Sequence, residues 1–526
     1  MRSYVAPSLQ RDEEQTPNAI VPVIVQSDAG AADARSVLET YGTADSQLGI
    51  ADASVGTIQA SALDDLATQP GLVVTPDNPV ALDAPGGQAG AKGAPGSDPI
   101  WQKAVGVDQL WPESLAPAKH RPPKDTVPRV SGAAPTIAFV DSGIQTGRAD
   151  FGSRILAAVN LSDLPNNSPG DGFGHGTLVA GLAAGANGTY TGAAPTAGIV
   201  SLDVMDDNGM ARTSDVIRAA QWILANHDQY NIRVANFSLH STTPTSFRWD
   251  PLDRAIEKLW FSGVVVVASA GNDTKGGQPI RMGFAPANDP FAIAVGALDL
   301  HNSTNPELTT VTPWSDWGYT FDGFAKPEVS APGRAITGPV PPGSTLANTK
   351  QFKSQVLNTP DGTYMTLSGT SLSAPIVSGI AADLLALNPS LTADRVKGAL
   401  MLRARALRKV KTLAGGVGEV YAPAAATVLS PPNPNRALDA FLVPDPAGDG
   451  MVFDDVSWLD AAKASRAWDA VSWLDVSWAD ASWSDVSWSD VSWSDVSWSD
   501  VSWSDVSWAD VSWADVESNV YGDVGP

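Results

Sequence analysis

The sequence predicts an α/β protein whose parallel sheet is covered by helices on both faces. Short runs without a polar face, such as TIAFVD, GIVSLDVM, RVANFSL, VVVVASAG and FAIAVGAL, have the length and composition of strands buried on both sides. Helical patterns such as TSDVIRAAQWILANHD and DPLDRAIEKLWFSG alternate with them. This alternation favours right-handed crossovers, and such sheets place their functional sites at the carboxyl ends of the strands.

Composition divides the chain into six segments. With 526 residues the chain is longer than a single hydrophobic core usually supports. We predict a leader or disordered segment over 1–18, a small domain over 19–82, a Gly/Ala/Pro-rich linker over 83–100, the α/β domain over 101–425, a Pro-rich linker over 426–450 and an acidic Trp-repeat tail over 451–526.

The small domain has the pattern of a β-α-β-β-α-β, ferredoxin-like unit. AIVPVIVQ and GLVVT have strand character, whereas ADARSVLETYG and ASALDDLATQ have helix character. GIADASVGTIQA is expected to supply the two middle strands. The segment that follows, LDAPGGQAGAKGAPGSDP, buries little and is expected to be an exposed linker open to proteolysis.

Charge and composition exclude several classes of function. The formal charge is -24, and 15 acidic residues against Lys463 and Arg466 place -13 of it in the last 76 residues. The rest offers no basic surface, so nucleic acid is not an expected partner. The chain has no cysteine, which excludes disulfides, thiolate metal sites and cysteine nucleophiles. We find neither a secretory leader nor an apolar stretch of about 18 residues that would span a bilayer.

Four polar residues stand where acyl-transfer chemistry needs them. Asp141 ends the strand TIAFVD, His175 lies in GFGHGTLVAGLAAG, Ser371 precedes an apolar helix in SGTSLSAP, and Asn272 follows VVVVASAG. Such chemistry requires a nucleophile, a base, a group that orients the base and a donor for the oxyanion. Each residue alone is more often a turn, loop or cap residue.

Together these motifs resemble the subtilases, the subtilisin-like serine proteases. The resemblance rests on VDSGI, GHGTLVAG and GTSLSAP in that order, with AGN at Asn272, and covers residues 101–425. It implies a three-layer parallel-sheet peptidase domain and a serine endopeptidase that acts through an acyl-enzyme. By resemblance, Ser371 is the nucleophile, His175 the base, Asp141 the orienting carboxylate and Asn272 the oxyanion donor.

The same resemblance implies how substrates bind. RVANFSLH resembles the family's substrate-pairing strand, so Ser238 and Leu239, with Gly271 of the AGN loop, are expected to bind protein or peptide substrates. His240 stands where the family usually has glycine, which leaves the side-chain preference open. The small domain looks like the family's inhibitory propeptide; a permanent small domain is the alternative.

The resemblance also bears on metal binding and compartment. Asp150 falls where some subtilases have a calcium ligand, but AAGANGTYTGAAP is too short for the family's longer calcium loop. We therefore expect no required cofactor and no metal in the site, with structural calcium as the alternative. Subtilases with propeptides are commonly exported, which favours a secreted protein; the missing leader favours the cytoplasm.

The tail is a pentad repeat. Trp recurs every five residues from Trp468 to Trp513 in units such as VSWSD, and Trp458 has the same phase. Val and Trp share one face of a unit, which permits a square β-solenoid, but a mostly disordered acidic tail is the favoured interpretation. Trp side chains are strong binding anchors, so a second hypothesis is a surface-binding or assembly protein in which proteolysis is secondary.

Overall fold

A computed structural model describes residues 3–82, 100–115, 127–408, 410, 413–446, 448 and 450–464. Most of the predicted linker after residue 82 and all pentads beyond residue 464 lie outside the described residues.

The N-terminal unit is one sheet with helices on one face. Its strands are β1 (Tyr4–Val5), β2 (Ile20–Ser27), β3 (Gly42–Leu48), β4 (Ala53–Gln59) and β5 (Leu72–Pro76), and its helices are α1 (Pro7–Gln15), α2 (Ala31–Tyr41) and α3 (Leu63–Ala67). The strand order is β1-β5-β2-β4-β3, antiparallel except for the β1–β5 pair. Along β2, Val23 and Val25 join the core of the unit while Ile24 joins the core of the α/β domain, as strand alternation requires.

Two sequence predictions for this unit are wrong. Residues 1–18 are not simply disordered, because β1 pairs with β5 and Leu9 of α1 is 1% exposed. The polar outer face of α1 conceals this packing in the sequence. GIADASVGTIQA does not supply both middle strands: it forms a turn and β4, and β3 is the polar stretch GTADSQL.

The α/β domain is built on a sheet of mainly parallel strands. After β6 (Pro79–Leu82), its strands in chain order are β7 (Thr136–Asp141), β8 (Ile155–Asn160), β9 (Ile199–Asp203), β10 (Met210–Arg212), β11 (Ile232–Phe237), β12 (Leu239–Ser241), β13 (Val265–Ser269), β14 (Ile280–Arg281), β15 (Ile293–Asp299), β16 (Thr310–Val311), β17 (Gly318–Tyr319), β18 (Ala325–Lys326), β19 (Val329–Pro332), β20 (Ile336–Pro339), β21 (Val356–Thr359) and β22 (Gly362–Leu367). The large sheet has the order β16-β15-β13-β11-β7-β9-β8, and β19 pairs with β15. All of its pairs are parallel except β15–β16, which confirms the predicted α/β class.

Helices cover this sheet. They are α4 (Ile100–Val105), α5 (His175–Ala184), α6 (Thr213–Tyr230), α7 (Pro251–Phe261), α8 (Thr345–Asn348), α9 (Thr370–Leu387), α10 (Ala393–Leu402) and α11 (Ala422–Ala426). Helix α5 packs on α9, and α6 packs on α7. Among the described residues, α9 alone is long and apolar enough to cross a membrane by composition, although we expected no such stretch; it is 89% buried within the protein.

The segment after α11 is more ordered than a linker. It contains α12 (Arg436–Asp439) and β23 (Leu442–Pro444), which pairs with β24 (Met451–Phe453) and leads into α13 (Asp455–Ala464). The predicted boundary at residue 450 therefore falls inside a hairpin. Apolar contacts of Phe453 and Trp458 with the α/β domain, which the Pro-rich composition does not reveal, hold this segment in place.

Candidate active site

Three side chains from distant parts of the sequence meet at the carboxyl edge of the sheet. Asp141 is the last residue of β7, His175 is the first of α5, and Ser371 is the second of α9. The His175 Nδ1 atom lies 2.8 Å and 3.0 Å from the two carboxylate oxygens of Asp141, and Nε2 lies 3.0 Å from the Ser371 Oγ. All three residues are at most 2% exposed. The structure thus brings together the three residues that the sequence singles out.

A buried hydrogen-bond network fixes the start of α5. Asp171 accepts hydrogen bonds from the backbone N–H of Gly174 at 2.6 Å and of Thr177 at 2.8 Å, which satisfies the open N-terminus of the helix. Ser142 donates from Oγ to Asp171 and accepts at the same atom from Gly176 N–H, with distances of 2.9 Å and 3.0 Å. His175 is therefore presented from a rigid helix end.

Burial perturbs the carboxyl groups of Asp171 and of its neighbour Asp203. Burial raises the pKa of Asp171 to about 6, although its hydrogen bonds favour the ionised form. Burial also raises the pKa of Asp203 to about 7, and the negative charges of Asp171 and Asp141 add to that effect. Asp171, Ser142 and Asp203 are not among the site residues predicted from the sequence. An Asp four residues before the histidine in DGFGHG is a signal for the first of them.

Ser371 is also held in place through its backbone carbonyl group. Ser238 donates from Oγ to the backbone oxygen of Ser371 at 2.9 Å and accepts from the Asn236 Nδ2 at 2.9 Å. Ser378, two turns along α9, donates to the Asn236 Oδ1 at 2.8 Å. The side chain of Ser238, predicted to bind substrate, is thus used to hold the nucleophile's helix.

Asn272 lies directly beside this helix N-terminus. Its Oδ1 accepts from the backbone N–H of Thr370 at 3.0 Å, and its Nδ2 lies 3.5 Å from the position that a Cβ would take on Gly369. Gly271 has a φ of +111° and donates its N–H to the Thr370 Oγ1 at 3.1 Å. A side chain at Gly271 would collide with the carboxylate of Asp316, so this position requires glycine.

A segment of the N-terminal unit lies beside the site as an extended strand. Strand β6 pairs antiparallel with β10 on one side and with β12 on the other. In this register Leu239 pairs with Leu82, and His240 pairs with Ala81. The imidazole of His240 packs edge-on against Phe284, with ring centroids 5.5 Å apart. Val80 is fully buried between the two strands.

Asp150 does not fit the calcium role that the sequence suggests. One of its carboxylate oxygens accepts from the Arg148 Nε at 2.9 Å and the other from the Tyr364 hydroxyl at 2.7 Å. A guanidinium group in contact with this carboxylate opposes a second cation there. Within the described ranges, no cluster of three or more potential metal-ligating side chains occurs.

Comparison with known protein sequences identifies the family of the chain. The sequence profile of the subtilase family matches residues 132–421, more than half of the chain. The chain is 33% identical over 277 residues to the serine protease AprX of Bacillus subtilis (strain 168), a match that covers 51% of this chain but only 60% of AprX. It is 29% identical over 366 residues to subtilisin E of the same organism, covering 69% of this chain and 78% of subtilisin E. Subtilisin of Bacillus pumilus is 32% identical over 272 residues, with 51% of this chain and 83% of that protein covered. The chain belongs to the subtilase family of subtilisin-like serine peptidases.

Proposed function

We propose that the protein is a serine endopeptidase that hydrolyses peptide bonds in proteins through an acyl-enzyme intermediate. The observation that carries this proposal is the continuous hydrogen-bonded line from Asp141 through His175 to Ser371. An unassisted serine hydroxyl is a weak nucleophile, and a neighbouring base that accepts its proton makes attack on an amide feasible.

In this mechanism each group has one task. Ser371 Oγ attacks the scissile carbonyl carbon while His175 Nε2 takes its proton and later gives that proton to the leaving amine. Asp141 accepts from Nδ1–H, which fixes the tautomer with Nε2 free to accept. The Asn272 amide and the Ser371 backbone N–H stabilise the oxyanion, helped by the positive end of the α9 dipole. Water then cleaves the ester by the same proton transfers in reverse.

We further propose that the N-terminal unit is a ferredoxin-like, propeptide-type inhibitor domain and that the chain is made as a zymogen. Its strand order β5-β2-β4-β3, with a helix after β2 and another after β4, supports the ferredoxin-like assignment. The seating of β6 between β10 and β12 supports the inhibitory role, because an extended peptide there excludes a substrate strand.

The same seating suggests how substrates bind. We assign the backbone of β12, which includes Leu239, and the loop at Gly271 to substrate binding, with an apolar subsite where Val80 is buried. The chemistry requires no cofactor. We place the enzyme outside the cytoplasm, because an inhibitor domain delays activity until after export; cell fractionation distinguishes this from the cytoplasmic alternative.

Self-processing tests the proposal. Purified wild-type chain is expected to cut itself between Leu82 and Trp101. Intact-mass spectrometry should detect two fragments, and a peptide assay should show that the processed product hydrolyses peptide bonds. Ser371→Ala should remain full length and inactive. Ser373→Ala is the matched control: this equally buried serine on the same helix donates to the Ala331 carbonyl, away from the base, and its variant should still process. Equal processing by Ser371→Ala would refute the proposal.

A further inference from the structure

The first unit of the Trp repeat is docked on the α/β domain. The Trp458 indole on α13 is 2% exposed and lies against the rings of Phe247, Phe324 and Phe453. The centroid distances are 5.9 Å, 5.5 Å and 6.0 Å, and the Phe324 ring is inclined by only 23°. We call these three phenylalanines the aromatic pocket. Aromatic contacts of this kind add to the free energy gained by burying the indole.

A charge contact accompanies the indole. The Asp455 carboxylate accepts from the Arg248 Nε at 2.8 Å, and the Arg248 side chain is only 10% exposed. The guanidinium group also lies 4.7 Å from the ring centroid of Trp249, which holds it in place. Asp455 and Trp458 are three residues apart, so they share one face of α13.

The two residues between them face away from this contact. Val456 is 54% exposed, and the exposed Ser457 hydroxyl donates to Asp454, three residues earlier in the chain, at 2.6 Å. The contacts of this first unit are therefore made by an acid and, three residues later, a tryptophan.

The later part of the chain carries this pattern many times. The tetrad DVSW of residues 455–458 recurs without change at 475–478, 485–488, 490–493, 495–498, 500–503, 505–508 and 510–513. The residues that contact Arg248 and the aromatic pocket are thus both kept. The position after the tryptophan is not kept: Leu459 is 7% exposed, whereas the later copies have Ala or Ser there. The first copy has the larger apolar contact.

We propose that DVSW is a docking motif for the aromatic pocket and Arg248, and that later copies on the same chain are exchangeable occupants of this site. Asp475 lies eleven residues after Ala464, where α13 ends. That length of chain spans up to about 36 Å, enough to turn back to the pocket. Tethered copies compete at an effective concentration of order millimolar, which favours the same chain over a second molecule. The first copy occupies the site by its extra leucine contact, and a later copy replaces it when the first is released.

Photocrosslinking in the full-length Ser371→Ala chain tests this proposal independently of peptidase activity. A benzoylphenylalanine introduced at Phe324 reports which segment fills the pocket, and digestion with mass spectrometry locates the crosslink. The parent should crosslink to residues 455–464. Trp458→Ala should move most of the crosslinks to the DVSW copies after residue 474, in species of monomer mass. Loss of all tail crosslinks, or covalent dimers as the main product, would overturn the proposal.

Two further variants guard against an effect of misfolding. Asp455→Lys leaves Trp458 in place but opposes Arg248, and it should shift the crosslinks in the same direction. In the Trp458→Ala background, Arg248→Ala should lower the yield of later-copy crosslinks at least fivefold. Arg233→Ala is the matched control, because this arginine donates to the Gly263 and Leu391 carbonyls, and its yield should stay the same. Equal loss with both arginine variants would contradict recognition of the acid.

Discussion

The edge of the sheet that carries the proposed triad, which we call the catalytic edge, and the outer face of α6 and α7, the helix face, are held by different kinds of contact. At the edge, the contacts join Asp141, His175 and Ser371, which belong to core elements and are almost fully buried. On the helix face, Lys258 forms ion pairs with Asp52 of the N-terminal unit at 3.0 Å and with Asp445 of the C-terminal segment at 2.9 Å. The contacts at the catalytic edge are part of the fold, whereas the ion pairs on the helix face attach separate segments to it.

This difference indicates which parts of the molecule are separable. Distorting the catalytic edge disturbs the core, because β7, α5 and α9 contribute to the same apolar cluster. Releasing the N-terminal unit breaks a set of polar contacts, each worth on the order of 1 kcal/mol, together with the apolar surface around Ile24 and Ile50. A stable catalytic domain with a removable inhibitor is the expected result.

The largest expected effect lies at the catalytic edge. Asp141→Asn keeps the shape of the side chain but favours the wrong tautomer of His175, so kcat on a peptide substrate should fall about 10⁴-fold. Asp203→Asn is a closely matched control, because Asp203 pairs with Asp141 in the register of the neighbouring strand. Its kcat should stay within a few fold of wild type. A similar loss in both variants would show that the edge depends on its charge as a whole.

A smaller loss is expected at the oxyanion position. Asn272→Ala removes the amide donor and should lower kcat about 10²- to 10³-fold with little change in KM. Thr370→Ser is the control, since it keeps a hydroxyl that can accept from Gly271 N–H beside Asn272. Steady-state kinetics on the processed enzyme separate the two constants. A rise in KM at unchanged kcat would instead assign Asn272 to ground-state binding.

The burial of the Asp171 and Asp203 carboxyl groups predicts a pH dependence of stability. The pKa values of about 6 for Asp171 and about 7 for Asp203 lie above the ordinary aspartate value of 3.8, so the folded state binds more protons than the unfolded state between these values. The free energy of unfolding should therefore fall as pH rises from about 4 to 8. Urea denaturation of Ser371→Ala measures it, and Asp203→Asn should reduce the loss between pH 5 and pH 8 by about 1–3 kcal/mol. Parallel pH profiles would contradict this assignment.

The smallest expected effects lie on the helix face. Asp77 accepts from the N–H of Ser214 at 2.9 Å and from its hydroxyl at 2.8 Å, at the start of α6. Asp77→Ala should weaken attachment of the N-terminal unit by about 1 kcal/mol, roughly fivefold. Asp52→Ala should have a smaller effect, because a partly exposed ion pair is worth less. The lag before peptidase activity appears after processing measures both, and an unchanged lag with Asp77→Ala would remove this residue from the attachment.

The sequence predicts the catalytic edge far better than it predicts the attached segments. Strands such as TIAFVD are apolar on both faces, so their extent and the residue at their end follow from the local pattern, and the family motifs then identify the site. Strand β3 and helix α1 could not be predicted in this way, because each turns a polar surface outward and buries little. Docking of Trp458 depends on phenylalanines up to about 200 residues away, and no local pattern encodes that contact.

The residues of the site show the same contrast between local sequence patterns and long-range contacts. Asp141, His175 and Ser371 lie in motifs with characteristic neighbours, whereas Asp203 reaches this edge from the end of β9 and interacts with Asp171 and Asp141 through its charge. The role of the Ser238 side chain depends on the carbonyl of a residue more than 130 positions later. Such contacts become visible only when the elements are packed.

The position of β6 also bears on the molecularity of the proposed self-cleavage. Because Pro79–Leu82 pairs with β10 and β12 of the chain that carries it, we expect the first cleavage to occur within one molecule and not by collision of two. The rate constant of that step should be the same in nanomolar and micromolar solutions. Each newly folded molecule would then mature at a rate that does not depend on protein concentration. Dilution would slow only the cleavage of other protein molecules.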